Sequence, residues 1–269
     1  MANDSRARRL TWTKPAWHSP PSESHSYVGE RLIGHYRVEE LIGDGGTARV
    51  YRGRDEADPH SYVALKVLRH EFAGDEGVRS RFLREAQAAT AIESPYVVSI
   101  VDSGIQADGT PWYAMELLDG ATIAELLDEH GCLPLPYVHK LALQIVDGLT
   151  AAHEKGIIHR DLKPENVAVT SEAVVKILDF GIAKHTKLLS QTLPGEVFGT
   201  PEYMSPEHAI GEQVDARSDI YALGTMLYEM VCGSRPFSAP THVRLVMSLL
   251  REEPAPLSER ARVPEAFEA

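Results

Sequence analysis

The sequence predicts an α+β fold of two lobes, a β-rich N-terminal lobe with one main helix and a mainly helical C-terminal lobe. Three observations predict it. Runs rich in Val, Tyr and Leu, broken by glycine and turn residues, fill the first half around a single helical stripe. From Thr122 onward the apolar residues recur at i, i+3 and i+4 instead. The 269 residues, 43% hydrophobic and 25% charged, can bury one large core or two closely packed ones.

The elements follow in order. Residues 1–33 hold Pro15, Pro20, Pro21 and many Ser and His without periodicity, and read as a disordered tail. Ordered sequence begins near His35-Tyr36-Arg37-Val38. Strands are expected from Val38 to Leu41, over Arg49-Val50-Tyr51-Arg52, and from Tyr62 to Leu68. A helix is expected from Asp75 to Ile92, with Val78, Phe82, Ala86 and Ala89 on one face. Two more strands follow, Val97 to Val101 and Trp112 to Met115, joined by a turn at Asp108-Gly109. In the second half, Val138, Leu141, Ala142, Ile145, Val146, Leu149 and Ala152 form one helical stripe, and Ile220, Leu223, Leu227, Met230 and Val231 another. A further helix is expected from Thr241 to Arg251. This divides the chain into the tail, an N-lobe over 34–118 and a C-lobe over 119–269, with a cleft between the lobes.

Charge and cysteine content exclude some functions. Lys and Arg number 27 against 39 Asp and Glu, a formal charge of −12, which argues against general affinity for nucleic acid or an anionic membrane. Cys132 and Cys232 are the only cysteines, too few for a disulfide framework, and point to a reducing, cytoplasmic setting. No run of about 18 apolar residues marks a membrane span, and the basic start lacks the apolar core of a secretory signal.

The chemistry-bearing residues lie in order along the two halves. Gly43-Asp44-Gly45-Gly46-Thr47-Ala48-Arg49-Val50 sits between two strands, where glycines let backbone amides approach phosphate oxygens. Alone, such a stretch is more often a hairpin turn. In Val63-Ala64-Leu65-Lys66, strand alternation puts Ala64 and Lys66 on one face. His159-Arg160-Asp161-Leu162-Lys163-Pro164-Glu165-Asn166 follows a long helix, and Asp179-Phe180-Gly181 comes thirteen positions after Asn166. The ordered set resembles the signature of protein kinases: glycine loop, strand lysine, helix glutamate, HRD loop and DFG. It is most similar to the bacterial eukaryotic-like Ser/Thr kinases. Arg81-Phe82-Leu83-Arg84-Glu85-Ala86 resembles their αC helix. Asp179 to Lys184 and Gly199 to Glu207 resemble their activation segment. The resemblance covers about residues 34 to 260, and Lys163 and Thr200 favour Ser/Thr over Tyr acceptors.

The resemblance implies a protein-kinase-like bilobal fold and a role for each matching residue. Lys66 contacts the α- and β-phosphates of ATP and pairs with Glu85. Asn166 and Asp179 hold Mg²⁺, with Mn²⁺ as the alternative metal. Asp161 orients the substrate hydroxyl and accepts its proton, and Lys163 steadies the γ-phosphoryl. Ile42, Gly43, Gly45, Gly46, Val50, Ala64 and Ala168 enclose the nucleotide. Met115 stands at the gatekeeper position, followed by the hinge backbone of Glu116 and Leu118. Asp219 matches a structural aspartate that fixes the HRD backbone. Glu207 matches a glutamate that pairs with an arginine further along. Glu165 and Glu229 match positions that some relatives use for arginine near the acceptor, although both have structural readings. Implied partners are proteins with Ser or Thr acceptors, and a second copy for autophosphorylation at Thr192 or Ser190.

Two departures stand out. Gly46 is an extra glycine with Ala48 at the usual third, and Ala168 replaces a larger apolar residue beneath adenine. The chain also stops where two further helices are expected, so the C-lobe reads as incomplete, with Val263 to Phe267 as a short cap in the alternative. A pseudokinase or an inactive fragment acting as a scaffold is the rival function; loss of Lys66, Asp161, Asn166 or Asp179 would have signalled it, and none is lost. A small-molecule kinase is the second rival, opposed by Gly199 to Glu207.

Overall fold

The structure, a computed structural model, describes residues 31–32, 36–180 and 201–264. Residues 1–30, Gly181 to Thr200 with Ser190 and Thr192, and Phe267 lie outside the described residues. The sheet begins earlier than the expected boundary at residue 34. Strand β1 (Arg31–Leu32) pairs antiparallel with β2 (Tyr36–Asp44), followed by β3 (Ala48–Asp55) and β4 (Tyr62–Leu68). Helix α1 (Glu76–Ala91) comes next, its first turn capped by the Asp75 carboxylate, which accepts from the Val78 amide at 2.9 Å. Strands β5 (Ile100–Ile105) and β6 (Pro111–Glu116) complete an antiparallel sheet of order β1-β2-β3-β4-β6-β5.

Strand alternation gives this sheet two different faces. Val38, Tyr51, Val63, Leu65, Val67, Trp112 and Ala114 form a core on one face, with Trp112 edge-on to Tyr36 at 5.9 Å. Gly104 lets the strand approach closely there, because a Cβ would stand 3.0 Å from the Trp112 ring, tighter than an ordinary contact. On the other face Ala48, Leu68 and Tyr113 pack against Phe82 and Ala86 of α1. Lys66 therefore points toward α1.

The second lobe starts with β7 (Gly120–Thr122) and α2 (Ile123–His130), where Thr122 and Glu125 form a reciprocal capping box. Helix α3 (Leu135–Glu154) leads to β8 (Val167–Thr170) and β9 (Val175–Ile177), which form a small sheet of order β7-β8-β9. Helices α4 (Pro206–Ala209), α5 (Ala216–Cys232), α6 (His242–Arg251) and α7 (Leu257–Arg260) follow. Leu141, Ile145 and Leu149 of α3 pack with Leu223, Met226 and Met230 of α5 and with Val167, Val169 and Ile177. Val263 packs with Leu257 and Ala261 against the same cluster.

Three expectations are corrected. The strand expected from Val97 to Val101 begins instead at Ile100, because Val97 and Val98 dock on the other lobe: Val97 bridges Ile177 in parallel and the Val98 amide donates to the Ile177 carbonyl at 3.0 Å. Val146, on the expected stripe of α3, is 41% exposed, while Gln144 and Gly148 are buried. Gln144 caps the β8–β9 turn, accepting from Val175 N at 2.9 Å and donating to Ala173 O at 3.2 Å. Ile220 is 52% exposed, and Met226, outside the expected stripe, is fully buried.

Candidate active site

The register of the large sheet sets one side of the cleft. Lys66 of β4 and Tyr113 of β6 are directly opposite each other, both turned toward α1. Lys66 Nζ donates to Glu85 Oε1 at 2.7 Å and to Asp179 Oδ1 at 2.6 Å. One ammonium thus joins the sheet, α1 and the segment after β9. Burial alone would depress the lysine's pKa, but Asp179, Tyr113 and Glu85 outweigh it and hold the ammonium well above the ordinary value. For Asp179 burial acts upward, yet the Lys66 charge prevails and holds the carboxyl below the usual range. Burial raises Glu85 against the opposing pull of Lys66.

The other side is the loop after α3. Asp219 of α5 is 1% exposed, and its carboxylate accepts from the amides of His159 and Arg160 at 2.8 Å each and contacts His153 Nε2 at 2.7 Å. These bonds secure a loop in which Arg160 has φ 65°, a left-handed conformation uncommon for a side chain of this size. Burial would raise the Asp219 carboxyl; His153 and the two amides more than offset it and hold it below the ordinary range. His159 is fully buried, receives the Asp161 amide at Nδ1 (3.2 Å), and donates from Nε2 to the Leu178 carbonyl at 2.8 Å. Its ring lies 4.8 Å from Phe180. The two catalytic-type loops are therefore tied to each other just before Asp179, itself at φ 50°.

Asn166 Nδ2 donates to the Asp161 carbonyl at 2.8 Å and to its carboxylate at 3.1 Å, and Lys163 Nζ lies 3.7 Å from the same carboxylate. The amide orientation leaves Asn166 Oδ1 as a hard oxygen donor. Among the described residues no group of three or more His, Cys, Asp or Glu could hold a metal by itself. A pair such as Asn166 and Asp179 suits a small cation that takes its remaining ligands from phosphate and water.

The residues expected at the roof and hinge lie along β2 to β4, at the end of β6 and in β8. Gly43 and Asp44 end β2, and Gly45 and Gly46 begin the β2–β3 turn, where Gly45 N donates to Ala48 O at 3.0 Å. Arg69 ties this turn to β4 by donating to Gly45 O at 2.8 Å and pairing with Asp44. Val50 pairs with Lys66, and Ala64 with Met115, across the sheet. Met115 packs beside Phe82 and Tyr113, and Ala168 is buried in β8. Ile42 lies in β2 ahead of the turn, and Leu118 follows β6.

Several contacts escape the sequence. Tyr113 OH donates to Glu85 Oε1 at 2.8 Å. The Glu116 carboxylate accepts from Ser99 N and from Lys176 Nζ, each at 2.8 Å, which fastens the hinge to β9. The spacing of His153, six residues before His159 on the end of α3, gives no such hint. Glu207 hydrogen-bonds Ser218 rather than an arginine among the described residues. Glu229 accepts from the Tyr203 hydroxyl and lies 3.5 Å from Arg235 Nε, while Glu165 is exposed.

Comparison with known proteins places this geometry. The protein kinase domain family matches residues 36–265. The chain is 42% identical over 257 residues to serine/threonine-protein kinase pkn3 of Myxococcus xanthus, covering 91% of this chain and 47% of that protein. It is 39% identical over 233 residues to serine/threonine-protein kinase PknB of Mycobacterium leprae, covering 85% of this chain and 37% of that protein. It thus spans less than half the length of these relatives. The crystal structure of the Mycobacterium tuberculosis PknI kinase domain superposes with a TM-score of 0.66 at 27% identity, covering 88% of this chain and 85% of that one.

Proposed function

This chain belongs to the protein kinase domain family, and on that footing we propose that it transfers the γ-phosphoryl of ATP to serine and threonine hydroxyls of proteins. The observation that carries the reading is the Lys66 junction, one ammonium bonded to both Glu85 and Asp179, together with Asn166 bonded to the Asp161 carboxylate. Lys66 holds the α- and β-phosphates, and Glu85 fixes where its ammonium stands. The hinge backbone at Glu116 and Leu118 takes the adenine, below Met115 and above Ala168. Ile42, Gly43, Gly45, Gly46, Val50 and Ala64 cover it.

Asp161 aligns the acceptor hydroxyl with the γ-phosphorus. The acceptor oxygen forms a bond to phosphorus as the bond to the β–γ bridging oxygen breaks, ADP leaves, and the hydroxyl proton passes to the Asp161 carboxylate. Lys163, beside that carboxylate, steadies the moving phosphoryl charge. Asn166 Oδ1 and Asp179 would hold Mg²⁺, or Mn²⁺, which when bound neutralises phosphate charge. Catalysis rests on positioning and charge, so these groups act together.

The described residues contain no helix long and apolar enough to cross a membrane. Cys132 and Cys232 are free thiols. Both fit a domain working in the cytoplasm, where ATP is abundant. Autophosphorylation at Thr192 or Ser190 by a second copy is part of the proposal.

The test is transfer of labelled phosphate from ATP to a generic basic protein, with the acceptor residue identified by mass spectrometry. Asp161→Asn should keep ATP binding and lose transfer by roughly 10²–10⁴-fold. ATP binding without transfer in the parent chain would establish the scaffold reading instead.

A further inference from the structure

Tyr113 lies outside the residues that the sequence singles out for a role, yet it makes the third bond of the Lys66 junction. It lies directly across the sheet from Lys66. Its hydroxyl donates at 2.8 Å to Glu85 Oε1, the same oxygen that receives Lys66 at 2.7 Å. Its ring packs on Phe82 at 5.0 Å between centroids, and the Lys66 ammonium lies 5.6 Å from its ring centre. Phe82 and Glu85 are one turn apart on α1, so both face the tyrosine. Tyr113 is 2% exposed.

We propose that Tyr113 is a positioning residue that holds α1 against the sheet and presets Glu85 for Lys66. The physical reason is the division of labour at one carboxylate. A lysine that must also serve nucleotide phosphates cannot give all its donors to Glu85. When ATP enters, Lys66 is shared between the phosphates and Glu85, and the carboxylate loses part of its compensation in a site where burial already disfavours its charge. The tyrosine hydroxyl has no such second task. Burial pushes its own ionisation well up, so it remains a donor throughout the neutral range. It anchors Glu85 from the sheet whether or not nucleotide is bound, which keeps α1 in its inward position at all stages of turnover.

This inference deepens the proposed kinase reading and rests on it for its catalytic part. Tyr113→Phe keeps the ring against Phe82 and removes only the hydroxyl. A hydrogen bond to a charged group corresponds to roughly tenfold or somewhat more in an equilibrium. The expected result is a loss of roughly tenfold in kcat/KM for ATP, together with faster hydrogen exchange of the α1 amides over 76–91 in the nucleotide-free protein. In a Glu85→Ala background the same change should add nothing to α1 exchange, because the acceptor is gone; a purely packing role would give the same increment in both backgrounds. Unchanged α1 exchange in Tyr113→Phe, or an equal increment with and without Glu85, overturns the proposal. A parent chain with no phosphotransfer would defeat the kinase reading, and the exchange data would still decide the role of Tyr113.

Discussion

Replacing Asp219 with asparagine should separate the stability of the C-lobe from nucleotide binding. The carboxylate is almost fully buried and takes three donors, two on Oδ2 and one on Oδ1. Asparagine can place its carbonyl oxygen where Oδ2 was and keep His153 and the His159 amide, now as bonds to a neutral group. Its NH₂ must then face the Arg160 amide, donor against donor. One charge-assisted bond worth about 1.5–3 kcal/mol is lost and two are weakened by about 0.5–1 kcal/mol each, so the cost is about 2.5–5 kcal/mol. That is a large part of the about 5–15 kcal/mol that usually holds a domain together. The left-handed Arg160 conformation, itself costing on the order of 1–3 kcal/mol, loses its restraint and relaxes, taking the adjoining Asp161 out of line. Urea denaturation should show the loss. At temperatures where the variant stays folded, kcat should fall while ATP affinity stays within about threefold, since the Lys66 junction and hinge are untouched. The pH dependence has a definite sign. A carboxyl held below its ordinary value contributes stability above that value, near pH 3.9, and the contribution is lost as pH falls through the folded pKa. The parent's stability excess over Asp219→Asn should therefore be level at neutral pH and shrink only in strong acid. A variant within 1 kcal/mol of the parent with normal kcat would refute the reasoning.

Lys66→Met should lower kcat/KM for ATP by roughly 10²-fold or more, since in the proposed mechanism the lost group binds phosphate and it also balances Asp179; an unchanged value would remove Lys66 from the mechanism. Lys176→Met frees the hinge carboxylate from β9. Because Glu116 is partly solvated the pair is worth only about 1 kcal/mol, so KM for ATP should rise roughly fivefold with kcat near normal; a fall in kcat without a change in KM would contradict this. Ala168→Leu looks, from the sequence, like a way to fill a gap under adenine. Ala168 is only 5% exposed, so its neighbours have already closed much of that gap. The larger side chain should overpack, costing about 1–3 kcal/mol, and calorimetry should find ATP affinity unchanged or weaker. Tighter ATP binding would show instead that Ala168 leaves open space beneath adenine.

The lobes, α1 and the chemistry-bearing set were legible because order along the chain is itself informative. Lys66, Glu85 and Asp179 are 19 and 113 residues apart in their pairings, and they still meet at one ammonium. What the sequence hid were contacts set by partners rather than by residue type. The buried face of α3 is chosen by β9, so it takes in polar Gln144 and small Gly148, where a Cβ would stand 2.8 Å from Ile177 Cδ1, and leaves Val146 in solvent. Val97 and Val98 look like strand because they are apolar and β-branched, but they are buried by the opposite lobe. Tyr113 and Glu116 read as one strand aromatic and one hinge acid. Their roles emerge only from the β4–β6 register and from the approach of Lys176.

The seam between the lobes has a mechanical consequence. Ile177 is stitched to Tyr96, Val97 and Val98, Lys176 grips Glu116, and Asp179 follows two residues later. Any rocking of one lobe on the other would pivot near these stitches, and in a rigid rotation displacement grows with distance from the axle. Asp179 and the hinge sit beside that axle, whereas the Gly43–Gly46 turn is the far tip of a β-hairpin. In the proposed kinase reading, a small rotation would lift the tip away from the phosphates while the contacts at the adenine end stay closed. Spent nucleotide would then be freed from its charged end first, with the arrangement that receives the next molecule preserved between turnovers.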